Sequence, residues 1–139
     1  MLIAKNNDIP AYTFKNLLIL EKEVSKLILH YNTDLLVLAG FMKILSSKFI
    51  HSLPYNSIIN LHPSLLPAFQ GKDAIEQALN YGVKYTGITI HHVDEGIDTG
   101  PILLQEYVDV KSSSLRKNIS LVSQDIILFD DTVRANIAY

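Results

Sequence analysis

The residues best suited to chemistry in this sequence lie at positions 58–67, I-I-N-L-H-P-S-L-L-P. An apolar run ends on Asn60, one leucine separates that amide from His62, and Pro63 and Pro67 stiffen the chain that follows. In an extended chain residues two apart project to the same side, so Asn60 and His62 face one site. An amide can donate N–H to a developing negative oxygen, and an imidazole can move a proton or carry a positive charge. Open α/β sheets place such groups in the crevice beyond the carboxyl ends of their strands. Taken alone, N-x-H-P also describes a strand-ending turn with a solvated histidine, because turns recruit Asn and Pro.

A carboxylate to complete the set is offered by the acidic loop at 94–101, D-E-G-I-D-T-G-P. Its glycines permit a tight backbone that delivers Asp98 to the crevice of Asn60 and His62. The oxygen spacing is not that of a calcium loop, and no metal site is expected. His91 and His92 are adjacent in a strand-like run, so they face opposite sides and cannot chelate one ion together. One of them can look into the site, and a structural or supporting role is the simpler reading for both.

The elements that must position these groups follow from periodicity. Residues 11–14 suggest a short incoming strand. Leu17, Leu18, Leu20, Val24, Leu27 and Ile28 recur at helical spacing with charged residues between them, predicting an amphipathic helix over 16–30. Residues 34–40 form a continuous apolar run of the kind found in buried parallel strands. Met42, Lys43, Ile44 and Leu45 follow its carboxyl end, where a loop can meet a flat heterocycle or simply feed the core, and Ser46 or Ser47 can cap a short helix. Asp73 is placed to cap a helix through Asn80, with Gly82 closing it. Residues 85–93 and 102–110 read as strands.

Composition limits the partners. In 139 residues there are 12 Lys plus Arg against 14 Asp plus Glu, a formal charge of -2. No basic field favours nucleic acid or an anionic membrane, and a small-molecule partner fits better. Cysteine is absent, which excludes a thiol nucleophile and thiolate metal sites. No run is long enough to span a bilayer, and a cytoplasmic location is expected. The mean hydropathy of +0.20 is somewhat apolar for a soluble domain.

N-L-H-P-S-L-L-P, L-A-G-F-M-K-I-L, G-K-D-A-I and H-V-D-E-G-I-D-T-G-P, in this order, resemble the folate-dependent formyltransferases over residues 34–110. The branch that acts on glycinamide ribonucleotide in purine biosynthesis is the most similar; the branches acting on methionyl-tRNA or deformylating the folate share the Asn, His and Asp. The resemblance implies an α/β fold, Rossmann-like, with an open, mostly parallel sheet and flanking helices. It implies formyl transfer from 10-formyltetrahydrofolate to the amine of glycinamide ribonucleotide, with Asn60, His62 and Asp98 as the catalytic trio. Met42, Lys43, Ile44, Leu45, Asn60, Asp94, Glu95, Gly96, Ile97 and Asp98 would hold the folate.

The sequence departs from the family at both ends. The family's first strand and its Gly-rich phosphate loop have no counterpart, and at Leu17, where an ungapped reading puts a folate-contacting arginine, there is no charge. Residues 1–110 therefore read as a partial formyltransferase core, truncated at its start. An uncovered apolar sheet edge that invites self-association, and weak or absent turnover, are the expected consequences. Residues 111–139 read as a foreign tail resembling the glutamine-loop segment of ATP-binding cassette transporters, with Gln124 in the glutamine's place. No phosphate-binding G-x-x-x-x-G-K-[ST] motif accompanies it, so nucleotide binding is not implied. The competing readings are a non-catalytic fragment that binds folate or a partner chain, and another folate-dependent formyltransferase or deformylase.

Overall fold

Asn16 opens the first helix, α1 (Leu17–Tyr31), its side-chain oxygen accepting the N–H of Ile19 at 2.9 Å. The helix ends at Asn32, whose left-handed backbone returns its N–H to the Ile28 carbonyl. These caps fix the boundaries that the periodicity predicted. Leu17 and Val24 lie against a core of Leu45, Phe49 and Ile58, while Leu18 and Leu29 remain open to solvent. The computed structural model describes residues 4, 6, 7 and 9–110; the tail reading of 111–139 lies outside the described residues.

The chain continues as β1 (Leu36–Ala39), α2 (Ser47–His51), β2 (Ile58–His62), α3 (Ala74–Tyr81), β3 (Tyr85–His92) and β4 (Ile102–Asp109). Ser46 caps α2 by accepting the Phe49 N–H, and Glu21 of α1 accepts both the Ser46 N–H (2.6 Å) and its hydroxyl (2.8 Å). That carboxylate ties the two helices together over the core. Asp73 precedes α3 as expected but sits in a left-handed conformation and makes no side-chain cap bond; Gly82 closes the helix at φ 78°.

The four strands lie in the order β1-β2-β3-β4. The pairing of β1 with β2 is parallel, and β2 with β3 and β3 with β4 are antiparallel, so the described part of this open α/β sheet is mixed. Among the described residues, no helix is long and apolar enough to cross a membrane.

Two expectations are corrected. Residues 11–14 form no strand, because none of the described strands offers them a ladder. They run past the end of α1, where the Tyr12 and Tyr31 hydroxyls meet at 2.9 Å, a bond that raises the Tyr12 phenol above its ordinary value. The apolar run at 34–40 is not buried throughout: β1 alternates between half-buried and exposed residues, and Val37 is 56% exposed. The reason is cover, since among the described residues β1 lies at the sheet's edge and α1 packs on only one of its faces.

Candidate active site

Ile58, Asn60 and His62 project to one face of β2, as alternate residues of a strand must. Ile58 spends that direction on the core, and two and four residues later the same face turns polar. The antiparallel register sets His91 opposite Asn60 and Thr89 opposite His62. Thr89, fully buried, donates to the Ser64 carbonyl at 2.7 Å and accepts from the Leu66 N–H at 3.0 Å. The loop leaving His62 is thereby pinned to the sheet.

Asp98 arrives at this face from the loop between β3 and β4. Its Oδ2 lies 3.2 Å from His62 Nδ1 and accepts the Gly71 N–H at 2.8 Å. Its Oδ1 accepts from Asn60 Nδ2 at 3.3 Å and lies 3.4 Å from His91 Nε2. His62 is 4% exposed, and its Nε2 lies 2.9 Å from the Phe69 carbonyl oxygen. Asn60 Nδ2 and His91 Nε2 stand 3.2 Å apart. The trio expected from the sequence is therefore assembled, around a carboxylate with four neighbours.

Asp98 reaches this place through a left-handed backbone, φ 53°, uncommon for a residue other than glycine. The surrounding loop holds it there. Asp94 Oδ1 accepts from the Gly96 N–H (3.0 Å) and the Thr99 hydroxyl (2.7 Å). Glu95 takes the Ser47 hydroxyl and ties the loop to α2, and Gln70 Nε2 donates to the Asp98 carbonyl at 3.0 Å. At Gly100 an added β-carbon would overlap the carbonyl oxygen of His92. Gly100→Ala is accordingly expected to cost about 1–3 kcal/mol, since relief requires backbone movement. A urea midpoint equal to that of the parent would refute it.

The remaining candidates divide. Met42 and Ile44 are exposed, with Lys43 between them, but the side chain of Leu45 is buried with Phe49 and Ile58 and belongs to the core rather than to a ligand wall. Of the loop residues, Asp94 and Glu95 spend their carboxylates on holding it, and Ile97 is exposed. A cleft of about 590 Å³ lined by Leu65, Tyr85, Gln105 and Tyr107 includes none of these groups.

Sequence reasoning left open which of two histidines faces the site, and strand register selects His91. It missed the Phe69 carbonyl and the Gly71 N–H altogether. Backbone groups carry no signature, and the only available signal was the turn-forming Gln70-Gly71 pair.

The α/β sheet thus presents an amide, an imidazole and a carboxylate at one point, and the chain belongs to the formyl transferase family: residues 3–122 match its model. Its relatives are more particular. The chain is 40% identical over 107 residues to phosphoribosylglycinamide formyltransferase of Bacillus subtilis (strain 168), covering 73% of this chain and 54% of that protein. It is 52% identical over 80 residues to the Mycobacterium tuberculosis enzyme of the same name, covering 58% of this chain and 37% of that protein. Among solved structures, phosphoribosylglycinamide formyltransferase from Bacillus halodurans superposes with a TM-score of 0.73 at 39% identity, over 86% of this chain and 66% of that one. A formyltetrahydrofolate deformylase from Pseudomonas syringae pv. tomato superposes at 0.72 and 36%, over 81% of this chain and 39% of that one. The chain thus spans about half, or less, of the length of these curated relatives. The family match also runs past residue 110, into the segment read from sequence as a tail.

Proposed function

We propose that this chain transfers the formyl group of 10-formyltetrahydrofolate to the primary amine of glycinamide ribonucleotide, a step of purine biosynthesis in the cytoplasm. The observation that carries the reading is the placement of the Asp98 carboxylate between His62 Nδ1 (3.2 Å) and Asn60 Nδ2 (3.3 Å). The activity in the names of its relatives supports it.

The amine is itself the nucleophile. Its lone pair forms the new C–N bond while the formyl C=O electrons move onto oxygen, and collapse of that oxyanion breaks the bond to the folate nitrogen. One proton leaves the amine and one arrives at the folate nitrogen, so the site must stabilise an oxyanion and handle a proton. Asn60 supplies an N–H to the oxyanion; its present bonds, at 3.2 and 3.3 Å, are long and easily exchanged. Both ring nitrogens of His62 face acceptors, an arrangement that a doubly protonated ring satisfies, and it stands as a positive charge beside the reacting centre. Asp98 is the base that receives the amine's proton and, as the acid so formed, returns it to the departing folate nitrogen. Exposed Met42 and Ile44 offer apolar cover to the pterin, backed by Leu45, with Lys43 and the backbone of Asp94, Glu95, Gly96 and Ile97 supplying polar groups.

The likeness to a deformylase favours one second reading, in which water replaces the amine. An assay of the purified chain with labelled formyl donor separates the outcomes. Label appearing in the ribonucleotide supports transfer, and formate released without the ribonucleotide supports hydrolysis. Donor binding by calorimetry without either product makes the chain a folate-binding module, and no binding ends all three.

We also infer that copies associate through β1. Its outer edge pairs with no other described strand, and Leu35 and Val37 are 46% and 56% exposed. Val37→Lys is expected to shift sedimentation towards monomer; a parent chain that is already monomeric would sink the inference.

A further inference from the structure

We propose that His91 is a positioning residue of this site: a neutral imidazole whose Nε2 lone pair takes one amide hydrogen of Asn60 and so fixes which end of that amide meets the reacting oxygen. The inference rests on the function proposed above. His91 is 2% exposed, and its Nδ1 lies 2.8 Å from the His92 carbonyl oxygen. A carbonyl only accepts, so Nδ1 carries the hydrogen. In a neutral ring the lone pair is then on Nε2, whose nearer neighbour, at 3.2 Å, is the Asn60 amide nitrogen, a donor. Asp98 Oδ1 lies further, at 3.4 Å.

The consequence falls on Asn60. Its nitrogen is flanked by two acceptors, His91 Nε2 and Asp98 Oδ1, and turning the amide over would set its carbonyl against both. A second proton on His91 would reverse this, since Nε2–H would choose Asp98 and leave Asn60 unheld. The charged and titratable groups facing His91 are Asp98 from its loop and, across that carboxylate, His62 from β2; His92 is its chain neighbour. Because Asn60 and His91 are paired across adjacent strands, their separation is set by the sheet, whereas Asp98 depends on its loop. The sheet therefore supplies the fixed reference for the oxyanion donor.

The test uses the full chain labelled with 15N-histidine. Long-range proton–nitrogen spectra at neutral pH are expected to show His91 protonated at Nδ1 and bare at Nε2; a hydrogen on Nε2 overturns the proposal. Two variants read the consequence. His91→Leu keeps the bulk without the acceptor and is expected to lower kcat roughly 10²-fold with KM little changed. His91→Gln, which restores a carbonyl acceptor, recovers most of that loss. A folded Leu variant with parental kcat also overturns the proposal, and if that variant fails to fold, the spectrum and the Gln variant decide. Absence of turnover in the parent chain would count against the formyl-transfer reading alone, and the spectrum would still decide for or against His91.

Discussion

Asp98→Asn is expected to lower kcat for formyl transfer by roughly 10³–10⁴-fold, the scale seen when a buried carboxylate partner of a catalytic imidazole becomes an amide. The carboxylate now accepts from the Gly71 N–H on Oδ2 and from Asn60 Nδ2 on Oδ1, with His62 Nδ1 and His91 Nε2 beside it. An amide has one oxygen and one NH2. Its oxygen serves best on the Gly71 and His62 side, which leaves its NH2 facing the NH2 of Asn60 and competing with it for the lone pair of His91. On the proposed chemistry the variant therefore loses the negative charge beside His62 and the base for the amine, and it displaces the oxyanion donor. Stability should fall by about 1–3 kcal/mol, because a buried donor is left without an acceptor. A variant whose single-turnover rate lies within tenfold of the parent would refute the central place given to this carboxylate.

Asn60→Ala is the second large effect, a loss of roughly 10²–10³-fold in kcat, as for removal of one preorganised oxyanion donor. The loss should appear in kcat with donor affinity nearly intact, because the amide hydrogen is needed where negative charge develops and not where the ground-state folate binds. Calorimetry of the variant with a non-reactive folate checks the second half. If affinity and rate fell together by the same factor, Asn60 would be a binding residue.

Both ring nitrogens of His62 are already engaged within the site. Its Nε2 is held by the Phe69 carbonyl and its Nδ1 sits on Asp98, so the ring has no unengaged N–H. Phe69 achieves this from a left-handed backbone, φ 55°, which turns its carbonyl onto the imidazole.

What the amino-acid order determined by itself is local. The two-residue period of a strand puts Asn60 and His62 on one side, Asn16 and Asn32 bound a helix whose apolar face repeats at 3.6, and Gly82 stops α3; each depends only on neighbours along the chain. The tertiary structure decided everything that depends on partners remote in sequence. His91 faces the site and His92 does not because β3 pairs with β2 in the register that sets residue 91 beside residue 60. Alternation narrows such a choice to two, and only pairing fixes it. Val37 is exposed, although its run is as apolar as that of a central strand, because exposure is set by what covers a strand and not by its composition. Asp98 meets His62 because a loop anchored by the Gly71 N–H, the Gln70 side-chain amide and the Ser47 hydroxyl brings it there, through contacts that sequence spacing does not pair.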